Sequence, residues 1–118
     1  MALAPALSVD STFVQDKVVV TVRGELDVAT SPLLRAALAD LVDAPGVPCV
    51  VVDLGGVSFI DSAGVHALVE ASRRLRGRGV ELVLSGVKAG AFKVLDVCGL
   101  TSVFRSTDDW ASSDLGIP

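Results

Sequence analysis

Asp61, Ser62 and His66 bring together the residue types of a hydrolytic triad: a hydroxyl nucleophile, an imidazole base and a carboxylate. A helix would stack Ser62 and His66 one turn apart, because their spacing is four residues. Asp61, however, is the immediate neighbour of Ser62 and is poorly placed to orient the His66 ring. Ser62 also lacks the G-x-S-x-G elbow that presents a nucleophilic serine. The glycines form neither G-x-G-x-x-G nor G-x-x-x-x-G-K-[ST], and the run Gly86 to Lys93 has the wrong spacing for a phosphate loop. One histidine and two distant cysteines, Cys49 and Cys98, supply no metal-ligand cluster. The sequence therefore predicts no catalytic residue, no metal and no cofactor, and a protein that is not an enzyme.

A different chemistry remains at Asp61-Ser62-Ala63-Gly64. This turn stands between the apolar run Val57 to Ile60 and a helical pattern that begins at Val65. Asp61 or Ser62 can cap the helix by accepting hydrogen bonds from its first N–H groups. A hydroxyl at a helix N-terminus is exposed, and a phosphate placed on it would meet the N–H groups and the positive end of the macrodipole. Ser62 is thus a candidate phosphorylation site whose modification leaves its own helix intact.

The elements that must position this turn follow from periodicity. Ser8 to Val14 reads as a first strand, Asp16-Lys17 as a turn, and Val18 to Arg23 as the second arm of a hairpin. A polar connection, Gly24 to Thr30, leads to Ser31-Pro32, where Ser as N-cap and Pro at the first helical position start a helix. Leu34, Ala37, Leu38 and Leu41 share one face of that helix, which ends before Ala44-Pro45-Gly46. Cys49 to Leu54 is apolar without alternation, the pattern of a strand covered on both faces. Gly55-Gly56 separates it from Val57 to Ile60. The second helix carries Val65, Leu68, Ser72 and Leu75 inward and stops at Gly77-Arg78-Gly79. Val80 to Leu84 is a further core strand, Lys88 to Cys98 a third helix with Gly99 after it, and Val103 to Arg105 a short edge strand.

This alternation predicts one small α/β domain, residues 1–118, with its core over about 12–110 and a polar tail at 111–118. The expected sheet is mixed but mostly parallel, with four to five strands, an antiparallel strand at one edge, and three main helices. Functional residues in such sheets gather beyond the carboxyl ends of the strands. Three loops qualify, Gly24 to Ser31, Val57 to Gly64 and Ser85 to Gly90, and they are expected to converge. The candidate functional residues in and beside these loops are accordingly Asp27, Thr30, Ser31, Asp61, Ala63, Gly64, Ser85 and Gly86, with His66 in the first turn of the helix.

Composition narrows the partners. The chain has 118 residues, 51% hydrophobic and only 4% aromatic, and a formal net charge of −4, which argues against nucleic acid. Arg73, Arg74, Arg76 and Arg78 cluster late in a helix, where cations favour the dipole, so a solvated face accounts for them. No apolar run approaches the roughly 20 residues that cross a bilayer, and no secretory signal is visible, so a cytoplasmic protein without a membrane partner is expected.

At this point the residues resemble a known family. Gly24-Glu25-Leu26-Asp27, the helix opening at Ser31-Pro32, Val51-Val52-Asp53-Leu54, Val57 to Gly64 and Val94 to Leu100 are similar to the STAS domain family, and within it to the stand-alone anti-sigma factor antagonists. The matching segments run in order from roughly Thr12 to Trp110. The resemblance implies partner switching. An unphosphorylated antagonist binds an anti-sigma factor with serine kinase activity and so frees a sigma factor. The kinase phosphorylates the serine after the motif aspartate, here Ser62, and a PP2C-type phosphatase restores it. By the same resemblance, Asp27 matches an acidic residue of the partner surface. Ala63 departs from the many relatives with a second Ser or Thr there, which leaves Ser62 the single acceptor in the motif. The same fold also serves as a non-switching scaffold in stress-sensor and lipid-transport assemblies, in which Ser62 would only cap its helix.

Overall fold

The computed structural model describes residues 6–87 and 105–107. A hairpin opens the chain: β1 (Leu7–Val14) pairs antiparallel with β2 (Lys17–Leu26), in register from Leu7 opposite Gly24 to Val14 opposite Lys17. The turn is Gln15-Asp16, one residue earlier than the sequence suggests, with Gln15 in the left-handed region at φ 59°. A two-residue hairpin turn needs such a φ to match the twist of its strands. Lys17 therefore opens β2 rather than closing the turn, and its Nζ donates to Gln15 Oε1 at 3.1 Å.

Helix α1 (Ser31–Asp43) returns the chain to β3 (Cys49–Ile60), helix α2 (Ser62–Arg76) leads to β4 (Glu81–Ser85), and β5 (Arg105–Thr107) completes the described elements. The sheet runs in the order β1-β2-β3-β4-β5, antiparallel only between β1 and β2 and parallel elsewhere. That is the mixed sheet with an antiparallel edge strand that the sequence predicts. The expected third helix, 88–98, lies outside the described residues, as do Cys98, the tail and the first two residues of the expected last strand. That strand is described as β5, two residues later than expected.

Two expectations about strand length change. Gly24 to Leu26 belongs to β2 and not to a polar connection, and Gly55-Gly56 lies inside β3 and does not interrupt it. Each stretch is held by the other. Gly24 pairs with Val57, Glu25 with Phe59 and Leu26 with Ile60, and register shifts between Thr21 and Arg23 and between Gly24 and Glu25 absorb the extra residues of β3. Pairing satisfies backbone groups that a free loop would have to give to water.

Burial explains the apolar runs. On one face of the sheet Val18, Val20, Val22, Val50, Val52, Leu82 and Leu84 pack with Leu34 and Leu38 of α1 and Val65, Leu68 and Leu75 of α2. On the other face Val19, Cys49, Val51 and Val83 form a second buried cluster. The strands are covered on both sides, so they carry Val at successive positions instead of alternating. Each such side chain contributes about 1.5–3 kcal/mol on burial. Helix α1 buries Leu34 and Leu38 as its period predicts, but Ser31 and Val42 complete the inward stripe, with Ala37 and Leu41 half-buried. In α2 the four predicted core residues are all buried. Among the described residues no helix is long and apolar enough to cross a membrane.

Gly24 is the tightest point of this frame. Its φ is +110°, and a Cβ there would run into the carbonyl oxygen of Ala6, whose oxygen also accepts from Glu25 N at 2.9 Å. Gly24→Ala is expected to lower stability by about 2 kcal/mol, read as a lower urea midpoint with an unchanged slope.

Candidate functional site

The carboxyl ends of β2 and β3 lie side by side and create the site. Asp61 N donates to Leu26 O at 3.1 Å, so the first residue after β3 is tied to the last residue of β2. Gly64 then packs onto the same pair. A Cβ at Gly64 would stand 2.7 Å from Leu26 Cγ and 3.0 Å from Ile60 Cγ1, so only glycine lets α2 start this close to the sheet. The Asp27 loop and the Asp61 turn are thereby brought together, as the sequence predicts.

The structure assigns the cap. Asp61 is the N-cap of α2, extended at φ −118° and ψ −173°, and its Oδ1 accepts from Ala63 N at 2.9 Å and Gly64 N at 3.1 Å. Val65 N donates to Asp61 O at 3.1 Å and begins the helical ladder. Ser62 is the first helical residue and is exposed, with no capping duty. The alternative that Ser62 caps the helix is thus corrected. Of the N–H groups expected to meet a phosphate on Ser62, those of Ala63 and Gly64 are already held by the Asp61 carboxylate.

The neighbouring loop is built the same way. Asp27 Oδ1 accepts from Ala29 N and Thr30 N, both at 3.0 Å, and Asp27 O accepts from Ser31 N at 2.8 Å. Thr30 Oγ1 donates to Glu25 O at 2.7 Å, with Asp27 Oδ1 at 3.1 Å, and accepts from Asp27 N at 2.9 Å. Thr30 therefore occupies the N-cap position of α1 without a capping bond, because its hydroxyl is committed to the loop. The predicted N-cap, Ser31, lies inside the helix, with Pro32 after it. Asp27 shapes the loop with one oxygen; the hydrogen bonds it accepts on its side chain all land on Oδ1.

The other predicted site residues divide by exposure. His66 is exposed one turn along α2, and Ala63 is half-buried beside Ser62. Ser31 and Ser85 are only 4% and 1% exposed, so their side chains belong to the interior and are not presented to a partner. Of the third loop only Ser85 to Val87 is described, and these residues do not reach the turn; 88–90 lie outside the described residues. Ser85 pairs with Asp53, and Gly86, at φ +68°, packs against Gly55. Because β3 runs on from Gly55 to Ile60, Gly86 sits roughly 20 Å of strand short of Asp61. Among the described residues, the expected convergence is seen for the Asp27 loop and the Asp61 turn.

Sequence reasoning also missed three apolar side chains around the two loops: Val28 at 74% exposure, Leu33 at 49% and Phe59 at 52%. Val28 follows Asp27, Leu33 is in the first turn of α1, and Phe59 is two residues before Asp61. An apolar residue in an otherwise polar loop, Val28, was the available signal. A groove of about 530 Å³ runs along the outer face of α2, with Ser62 and His66 at one end and Glu70, Arg73 and Arg74 further along. Glu70 is held by Arg35 of α1 at 3.5 Å, an exposed pair of little energetic weight. Among the described residues no group of His, Cys, Asp and Glu could hold a metal ion. The arrangement presents an exposed hydroxyl, that of Ser62, next to the carboxylate that caps the helix.

The STAS domain model matches residues 8–113. The chain is 34% identical over 90 residues to the anti-sigma-B factor antagonist of Listeria monocytogenes serovar 1/2a, covering 76% of this chain and 78% of that protein. It is similar in structure to an anti-sigma factor antagonist from Mycobacterium paratuberculosis, with a TM-score of 0.77, 27% identity and 91% of each chain covered. The Bacillus cell fate determinant SpoIIAA in its phosphorylated form shares the fold, with a TM-score of 0.67 at 21% identity over 86% of this chain and 93% of that one.

Asp61→Ala removes the acceptor of two helix amides and is expected to cost about 1 kcal/mol, with most of the loss restored in Asp61→Asn. Gly64→Val forces a side chain between α2 and Leu26 and costs more, about 2 kcal/mol. Thermal and urea unfolding of the three variants, side by side, check the order.

Proposed function

The chain belongs to the STAS domain family, and on that premise we propose that it is an anti-sigma factor antagonist switched by phosphorylation of Ser62. The observation that carries the reading is the division of labour at the turn: Asp61 holds the helix amides, so Ser62 stays exposed and uncommitted. The 34% identity to the Listeria antagonist points to the role, and SpoIIAA provides a phosphorylated protein of the same fold.

In this reading the unmodified protein binds an anti-sigma factor with serine kinase activity in the cytoplasm and releases the sigma factor. The contact surface is the pair of loops, with Asp27, Thr30, Asp61, Ala63 and Gly64 shaping it and Val28 and Leu33 as apolar anchors. The kinase then uses ATP. Ser62 Oγ attacks the γ-phosphorus, the bond to the ADP oxygen breaks, and the hydroxyl proton leaves to a base of the kinase or to water. A PP2C-type phosphatase hydrolyses the ester and returns the hydroxyl and inorganic phosphate.

The physical basis of the switch is charge. Phosphorylation adds about −1.5 to −2 charges next to the carboxylates of Asp61 and Asp27. Burying that anion in an interface without a matching cation costs about 2–5 kcal/mol, and each ~1.4 kcal/mol is tenfold in affinity. The exclusion needs no rearrangement of this protein, because the turn is already fixed by Asp61.

The test uses ATP and a purified anti-sigma factor kinase from the same organism. Mass spectrometry is expected to find one phosphate, on Ser62. Calorimetry with the same kinase is expected to show Ser62→Ala binding like the parent and Ser62→Asp at least about 100-fold weaker. Equal binding by the two variants, or a phosphate on another residue, overturns the proposal. No modification at all favours the scaffold role.

A further inference from the structure

His66 is the one histidine of the chain and has no part in the fold's core: it is exposed, on the same groove of α2 as Ser62. We infer that His66 is a positioning residue for the phosphorylated form, its imidazole pairing with the phosphoryl group on Ser62 across one helical turn. The inference rests on Ser62 being the modified residue.

Elimination leads to it. A phosphoryl group at the start of a helix ordinarily takes the first amides, but Asp61 Oδ1 already accepts from Ala63 N and Gly64 N at 2.9 and 3.1 Å. Its oxygens must find other donors, beginning with the amide of Ser62 itself. The cationic side chains among the described residues are distant or engaged. Arg73 and Arg74 lie eleven and twelve residues along α2, about 16–18 Å at 1.5 Å per residue. Arg35 sits at the level of Glu70, with which it pairs at 3.5 Å. Arg23 packs its side chain alongside Gly56 on the sheet. His66 is four residues from Ser62, so their Cβ atoms are about 6 Å apart on one face. Helical side chains also lean toward the N-terminus, which carries the imidazole toward Ser62 and away from Glu70.

The pairing has a chemical consequence for the phosphoryl group. The second ionisation of a phosphoserine lies near pH ~6, and a ring N–H donating to the phosphoryl oxygens favours the dianion over the monoanion. The charged groups that share the groove with His66 are Glu70, which Arg35 already engages, and Arg73 and Arg74 further along; Asp61, with Oδ1 committed to amides, begins the same helix. His66 fixes the added charge over α2, the face that continues from the two loops, and does not leave it swinging in solvent.

Site-specific incorporation of phosphoserine at position 62 supplies the protein for the test without any kinase. Its 31P chemical shift is followed through pH 4–9 for the parent, His66→Gln and His66→Arg. The expected result is a phosphate midpoint about 0.5 higher in His66→Gln than in the parent, with His66→Arg returning it to the parent value or below. His66 is exposed, so the variants fold alike, and amide spectra of the unmodified proteins confirm this. Coincident midpoints in all three overturn the inference while leaving the Ser62 switch standing. Failure of a kinase to modify Ser62 overturns the switch and is read in a separate experiment.

Discussion

The hydrogen bond from Asp61 N to Leu26 O, with Gly64 packed onto Leu26 and Ile60, joins the ends of β2 and β3 and decides where both loops go. It is a small interaction in isolation, worth about 1 kcal/mol net. Its importance is positional. Two crossover helices start within a few residues of it, so the orientation of α1, of α2 and of everything between them is set at one point. A residue larger than glycine at position 64 would push α2 off the sheet and separate the Asp27 loop from the Asp61 turn.

The same point shows how a carboxylate-rich site avoids self-repulsion. Asp27 and Asp61 each use Oδ1 to accept two backbone amides, so part of their charge is compensated by fixed N–H dipoles. Those bonds make the two loops rigid. They also engage the amides of Ala63 and Gly64, so of the first amides of α2 the one left to meet an added anion is that of Ser62. In the proposed switch, a loop pair held in this way would tell a hydroxyl from a phosphate by charge, without rearranging the loops.

Much of the frame was legible because it rests on local signals. The Val runs, the Asp61-Ser62 helix start, the Gly77 stop and the antiparallel first pair all follow from rules that span a few residues. The errors share a cause: they lie where pairing between distant residues overrides local propensity. Gly24-Glu25-Leu26 reads as a loop, yet Val57 to Ile60 recruits it into β2. Gly55-Gly56 reads as a break, yet β2 pairs along it, Asp53 Oδ1 accepts from Gly55 N at 2.9 Å and Gly86 packs over it. Ser31 and Ser85 read as surface polar residues at element ends, and packing buried both.

The sequence by itself determined the α/β class, the hairpin at the start, and the presence of one exposed hydroxyl at the head of a helix, because capping chemistry and hydrophobic period are local. Only the tertiary structure decided that Asp61 and not Ser62 caps, that the strand ends carrying the Asp27 loop and the Asp61 turn lie side by side beyond Ser85, and that Val28, Leu33 and Phe59 stand exposed around them. Those outcomes depend on how far β3 extends beyond β4 and on which residues pair across the sheet. Strand length of that kind is set by long-range register, which no short window of residues encodes.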